Sequence, residues 1–304
     1  MNYIYDKTYE GFLTCVYHHW YTEKAEGIFP DRLYQLDLCR YAMTVETDAG
    51  RAVRVHDAIA EKISKGDAQR VYQVFCSNEP EKEMKLVRYI EFGFKSGSKI
   101  RLLHGDPVVK AVEAAERRVG LEVHRMCGLI RFSEVLNTEN NNLLLYAKIE
   151  PDNDILEFLA PHFSDRFKSE PIIIHDLARE KALFAYKRKW EVAELPADVM
   201  KPKGPGKAPS VSRNFAGSEN RSSDHAGPGT KSKSTLPESF AGSENKSKSV
   251  APEPLLQTTE SESYYTALWK KYFDVMATRE RVNPKCQRNF MPVRYWKHLT
   301  EIES

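Results

Sequence analysis

Residues 143–149, Leu143-Leu144-Leu145-Tyr146-Ala147-Lys148-Ile149, decide the fold class. Leu143, Leu145, Ala147 and Ile149 alternate with Leu144, Tyr146 and Lys148, a period of two that puts the two sets on opposite faces of a strand. The turn-forming Asn140-Asn141-Asn142 precedes this strand, and 128–136 supplies the other arm of an antiparallel ribbon. Downstream, Asp154 with Glu157 three residues on marks a helix start, and Ile155, Leu156, Leu159 and Phe163 give its apolar face through Arg166. A short apolar strand, Ile172-Ile173-Ile174, follows. A further extended stretch runs from Leu183 to Glu194, with Phe184, Tyr186, Trp190 and Val192 on one face. The sum is an antiparallel β-β-α-β-β unit.

Upstream the pattern is helical. Tyr9, Phe12, Leu13, Val16, Tyr17 and Trp20 recur at helical spacing behind an Asp6 cap, predicting a helix over 8–22. Further helices are expected near 50–64, 67–77, 81–95 and 107–126, the last with Val108, Val112, Ala115 and Val119 on one side. Residues 201–260 break the pattern, being rich in Pro, Gly, Ser, Lys and Asn, with nine basic against six acidic residues. This composition cannot bury a core and reads as a disordered linker. Within it Phe215–Asn220 recurs as Phe240–Asn245, too short and polar a repeat for a solenoid. Beyond it, Thr259 and Glu262 form a capping-box pattern, and Tyr265, Leu268, Trp269, Tyr272, Phe273 and Met276 make an apolar stripe that needs a partner surface. The sheet's open face is the candidate. The expected fold is α+β: a main body over 1–200 with a helical N-terminal half, the linker over 201–260, and a helical segment over 261–304 that packs back onto the main body as part of one domain.

Composition narrows the function classes. The 304 residues carry 45 basic and 43 acidic side chains, so polyanion binding has to come from local patches. The five cysteines, Cys15, Cys39, Cys76, Cys127 and Cys286, are dispersed without a C-x-x-C pair, a spacing of reduced thiols. No signal-like leader and no run of membrane-span length is visible. The expectation is a cytoplasmic protein without membrane contact and without a cofactor of its own.

Three groups of residues carry chemistry. Glu122, His124, Arg125 and Arg131 lie where the long helix meets the first strand; they suit phosphate binding, a tuned proton carrier, or a buried ion network. His162, Arg166, His175, Asp176 and Arg179 form the second group, which suits phosphate or base contact or structural polar pairing. A metal site from His162, His175 and Asp176 lacks the i, i+4 spacing of familiar zinc motifs, so no metal is expected. The C-terminal block sets Arg281, Asn283, Arg294 and Lys297 among Phe290, Tyr295 and Trp296. Cations that neutralise phosphates beside rings that stack on bases suit unpaired nucleic acid, and the same residues suit a cap on the sheet. No Walker loop, G-x-S-x-G, H-E-x-x-H or zinc-deaminase pattern occurs.

Taken together, Tyr5-Asp6-x-x-Tyr9-Glu10-Gly11-Phe12-Leu13, Glu122-x-His124-Arg125 with Arg131-Phe132, His162-Phe163-x-x-Arg166-Phe167, His175-Asp176-x-x-Arg179, Arg281-x-Asn283-Pro284 and Met291-Pro292-x-Arg294-Tyr295-Trp296 resemble a bacterial family of DNA metabolism proteins of unknown mechanism. The resemblance runs nearly end to end. It implies a role in DNA repair or modification beside a radical SAM protein encoded nearby, and in other bacteria a related domain is joined to a uracil-DNA glycosylase-like domain. It carries over no catalytic residues. Three readings follow. In the first, an accessory protein binds single-stranded or damaged DNA through Arg125, Arg131, Arg166, Arg179, Arg281, Asn283 and Arg294, with Tyr295 or Trp296 stacking. The second is a glycosylase-like or nuclease enzyme using His124, Glu122, His175 or Asp176. The third is a scaffold for the radical SAM enzyme.

Overall fold

The computed structural model describes residues 1–31, 34, 41–138, 141–198, 256–276 and 283–302. The chain divides into two compact units, the first over 1–121 and the second from Glu122 onward. The fold is α+β, with a helical N-terminal part, a mixed sheet and a C-terminal helix.

The first unit holds helices α1 (Tyr9–Tyr21), α2 (Ala49–Lys62), α3 (Lys65–Phe75), α4 (Lys82–Ser96) and the start of α5 (Pro107–Leu129). These match the predicted helices closely, because each carries its apolar stripe into one core containing Phe12, Ile59, Val71, Leu86 and Ile90. The cap of α1 is Thr8, whose Oγ1 accepts from Gly11 N at 2.9 Å. Asp6, expected as the cap, instead accepts from Thr8 N and Oγ1 at 3.0 and 2.6 Å and from Thr47 Oγ1 at 2.8 Å. A Cβ at Gly11 would lie 2.3 Å from Asp6 Oδ1, so a larger residue there would displace these side chains. Three short parallel strands, β1 (Asn2–Tyr5), β2 (Gly27–Pro30) and β3 (Ala42–Thr44), pair in the order β2-β1-β3. Runs of three or four residues give too little alternation to be read from sequence.

A buried carboxylate ties these helices together. Asp67, fully buried, accepts from Ser64, Tyr89, Arg70 and Arg101. Burial pushes its carboxyl up, and the bonds from Ser64, Tyr89 and Arg101 outweigh that and hold it below the usual carboxylate range.

In the second unit, β4 (Ser133–Asn137), β5 (Leu143–Ile149), α6 (Leu156–Arg166), β6 (Ile172–Asp176), β7 (Lys181–Tyr186), β8 (Lys189–Glu194) and β9 (Leu256–Thr258) build a six-stranded sheet ordered β8-β7-β6-β5-β4-β9. The expected antiparallel ribbon is present, with Ser133 opposite Tyr146, but its first arm starts at Ser133 and not at 128, since α5 runs on to Leu129. The sheet is nevertheless mixed. β5 and β6 run parallel, because α6 between them carries the chain back to the end where β5 began. The stretch read as one strand from Leu183 is a hairpin turning at Lys187-Arg188, both in the left-handed region with φ of 51° and 64°. A two-residue hairpin needs positive φ at both positions, usually from Asn or Gly, so this Lys-Arg pair gave no turn signal. Trp190 and Val192 therefore share a face with Ala185 and Leu183, their partners, and not with Phe184 and Tyr186.

The predicted start of α6 also differs: Asp154 makes no cap and accepts from Lys181 Nζ at 3.0 Å. Residues 201–255 of the expected linker, with both copies of the hexamer, lie outside the described residues. Its last residues do not fit a linker, since Leu256–Thr258 form β9 against β4. Helix α7 (Glu260–Met276) is latched to β4: Glu134 N donates to Glu262 Oε2 at 2.8 Å, and Thr259 Oγ1 bonds the Glu134 carboxylate at 3.2 Å. The anticipated capping box is thus spent on the neighbouring strand. The apolar stripe of α7 does not pack onto the sheet; Tyr265, Leu268, Tyr272, Phe273 and Met276 are all exposed. Helix α8 (Pro284–Phe290) and a 3-10 turn, Val293–His298, complete the unit.

Removing the Asp67 carboxylate takes the acceptor from the Tyr89 and Ser64 hydroxyls, while Arg70 keeps its pair with Glu116. Asp67→Ala should lower unfolding stability by about 1–3 kcal/mol, measured by chemical denaturation.

Candidate functional site

Four of the polar residues singled out in the second unit, Glu122, Arg179, Arg294 and Tyr295, gather around one loop, residues 150–154. Glu122 projects from α5 with 3% of its side chain exposed. Its carboxylate accepts from Asp152 N and Asn153 N, both at 2.9 Å, from Asn153 Nδ2 at 2.6 Å, and from the Tyr295 hydroxyl. Arg294 pairs with Asp152 at 2.7 Å and lies over the Tyr295 ring, 4.6 Å from its centroid. Burial and the Glu122 bond raise the Tyr295 phenol well above its usual range. On the other side of the loop, Arg179 donates to the carbonyls of Pro151 and Asp152 at 3.0 and 2.5 Å and to Asp176 at 2.8 Å. Lys297 pairs with Glu150.

Most of the residues expected to grip phosphate have partners within the protein. Arg179 and Arg294 are committed to carboxylates and carbonyls that fix a loop, and Tyr295 is buried with its hydroxyl on Glu122, so it offers no face to a base. Arg131 chelates Glu301 at 3.2 and 2.5 Å. Trp296 is half-buried and donates to the Met291 carbonyl at 2.9 Å. Asn283 caps α8 by accepting from Cys286 N at 3.0 Å, and Arg125 donates to the Asn289 carbonyl at 3.2 Å. Arg166 remains exposed over the Phe167 ring, itself packed on Phe132. Arg281 lies outside the described residues.

The candidate proton carriers are also separated. His175 and Asp176 are fully buried neighbours on β6 and so point to opposite faces of the sheet. His175 Nε2 lies 3.0 Å from the Leu195 carbonyl, which can only accept, so Nε2 carries the proton and Nδ1 accepts from the Tyr146 hydroxyl at 2.7 Å. Burial lowers the imidazole pKa, partly opposed by the Leu195 bond, while burial raises the Asp176 carboxyl against Arg179. His124 is exposed two residues from buried Glu122, on a different side of α5. His162 is exposed with its ring on Phe163, away from any second ligand.

What the sheet does present is a cleft of about 250 Å³. Its floor is the face of β4 and β5 that carries Val135 and Tyr146, and its walls bring in Thr258 of β9 and residues 297–300. Four basic side chains line it, Arg131, Lys148, Lys297 and His298, and none of the described residues lining it is acidic. Lys148 has no carboxylate partner among the described residues; its amino group lies 5.9 Å from the Tyr146 ring centroid. Next to the cleft, Arg131 lies over Trp269 at 5.6 Å, and Trp269 stacks on Tyr272 at 5.7 Å. Sequence reasoning missed Lys148 and the hydroxyls. A lone cation in phase with Leu144 and Tyr146 on an apolar strand was the available signal.

Folding raises the acidity of His175, so its contribution to stability is present above the ordinary histidine range and is lost as pH falls through that range. His18 and His298 shift the same way, burial being the leading cause in each. The melting temperature should therefore fall between about pH 7.5 and about pH 5.5, and His175→Gln should melt lower at the upper pH with a shallower fall, read by calorimetry.

With the geometry in place, comparison with known proteins adds one finding. No curated protein and no solved structure matches the chain. A family model described as a domain of unknown function, DUF4130, matches residues 80–301, well over half of the chain. The chain belongs to the DUF4130 family.

Proposed function

We propose that this protein binds unpaired nucleic acid as an accessory in DNA repair or modification, working beside the radical SAM enzyme that the resemblance implies. One observation carries the reading: Arg131 both lines the basic cleft and lies over the exposed Trp269–Tyr272 pair. A cation-lined cleft beside a stacking platform takes the backbone and the bases of a single strand separately, without reading sequence. Trp269 and Tyr272 are 39% and 53% exposed, which leaves ring surface for a base. The stacking role passes from Tyr295 to this pair, and the phosphate role from Arg179 and Arg294 to Lys148 and its neighbours. A damaged or flipped base presented in this way suits transfer to a partner, whether the radical SAM enzyme or a uracil-DNA glycosylase-like protein.

The enzyme alternative has less behind it, since His175 and Asp176 face opposite ways and His124 stands apart from Glu122. The scaffold alternative draws on α7, where Tyr264, Tyr265, Leu268, Val275 and Met276 are all exposed. That much apolar surface on one helix suits a protein partner. Copurification with the radical SAM protein in the absence of DNA would support it.

Fluorescence anisotropy with single-stranded oligonucleotides phosphorylated at both ends, titrated across a salt series, tests the leading reading. Affinity should fall steeply with salt, Tyr272→Ala should cost about 1–3 kcal/mol of binding, and Lys148→Ala should reduce the salt slope by about 0.7. Failure of the wild-type protein to bind any such strand sinks the proposal.

A further inference from the structure

We infer that the cleft is a seat for a phosphate monoester, the phosphorylated end of a strand, in preference to an internal phosphodiester. The inference rests on the nucleic-acid reading above and names the group that the cleft takes.

The donors lining the cleft outnumber the two unesterified oxygens of a diester. Besides Lys148, the hydroxyls of Ser133 and Thr258 line it, and neither has a hydrogen-bond partner among the described residues. Thr300 adds a third hydroxyl, bonded only weakly to Glu301 at 3.3 Å. His298 also lines the cleft, with its Nε2 already 3.3 Å from Glu150 Oε1. An internal phosphodiester offers two unesterified oxygens and one negative charge. A terminal monoester offers three such oxygens and a charge of about −1.5 to −2 near neutral pH, so it satisfies more of these donors.

Val135 and Tyr146 are buried side chains of the sheet itself and close the cleft from beneath. Glu301 and Glu150, which are not among the described residues lining the cleft, pair with Arg131 and Lys297 and orient those cations. Lys148 is left as the uncommitted cation. Trp269 and Tyr272 then lie where the first bases behind the terminal phosphate can stack.

Competition anisotropy on the full chain decides this. Strands of one sequence carrying a 5′-phosphate, a 3′-phosphate or hydroxyls at both ends compete with a labelled strand, in parallel with a nucleoside monophosphate and inorganic phosphate. A phosphate at one end should tighten binding about tenfold or more over the hydroxyl-ended strand, as charge-assisted hydrogen bonds require. Lys148→Ala should abolish that preference, and Thr258→Val should weaken it, with melting curves confirming that both variants fold. Preference for 5′ or 3′ identifies the end; displacement by the nucleoside monophosphate at matching concentration assigns the same seat to a free nucleotide. Equal affinity for phosphate- and hydroxyl-ended strands overturns the monoester seat while leaving nucleic-acid binding intact. No binding of any strand removes both.

Discussion

A carboxylate buried in a protein must find donors for both oxygens, and Glu122 finds all of its donors in two distant pieces of chain. Two backbone amides and one side-chain amide come from residues 152–153, and a phenol comes from Tyr295. Each donor is itself held, Tyr295 by Arg294 and the loop by Arg179. An ion network of this kind gives little net stability over an apolar core, because desolvation offsets much of the attraction. Its effect is positional. It fixes where the C-terminal turn lies against the sheet.

That position creates the cleft. Residues 297–300 follow Tyr295 directly, so anchoring the tyrosine sets the wall that faces β4 and β5. The opposite rim depends on Arg131, which Glu301 holds bidentately and which carries Trp269 over its guanidinium plane. Arg131, Arg179 and Arg294, suggested by the sequence as phosphate ligands, bond Glu301, Asp176 and Asp152 instead. They assemble a surface on which other side chains, Lys148 above all, remain available.

Legibility followed chain length and local pattern. The long helices were readable because an apolar stripe repeats several times within each, and the ribbon at Ser133 and Tyr146 because alternation and a turn agree. Three strands of the first unit escaped for lack of repeats, and β9 escaped because Leu256 follows a polar, Pro-rich stretch. The β7–β8 turn was hidden by Lys187-Arg188, which adopt a backbone that their identities do not announce. The groups of candidate residues were partly legible: Glu122, Arg179, Arg294 and Tyr295 do meet around one loop. Their roles were not, because the acid that neutralises Arg131 is Glu301 and the one that receives Tyr295 is Glu122, each more than 150 residues away in sequence.

The central claim is that Glu122 and Tyr295 act as one unit in fastening the C-terminal turn to the loop at 152–153. A double-mutant cycle with Glu122→Gln, Tyr295→Phe and the pair, measured by urea unfolding, tests it directly. Coupling of about 1–3 kcal/mol between the two changes is the result this account requires. Additive effects, with the pair costing the sum of the single changes, would contradict it.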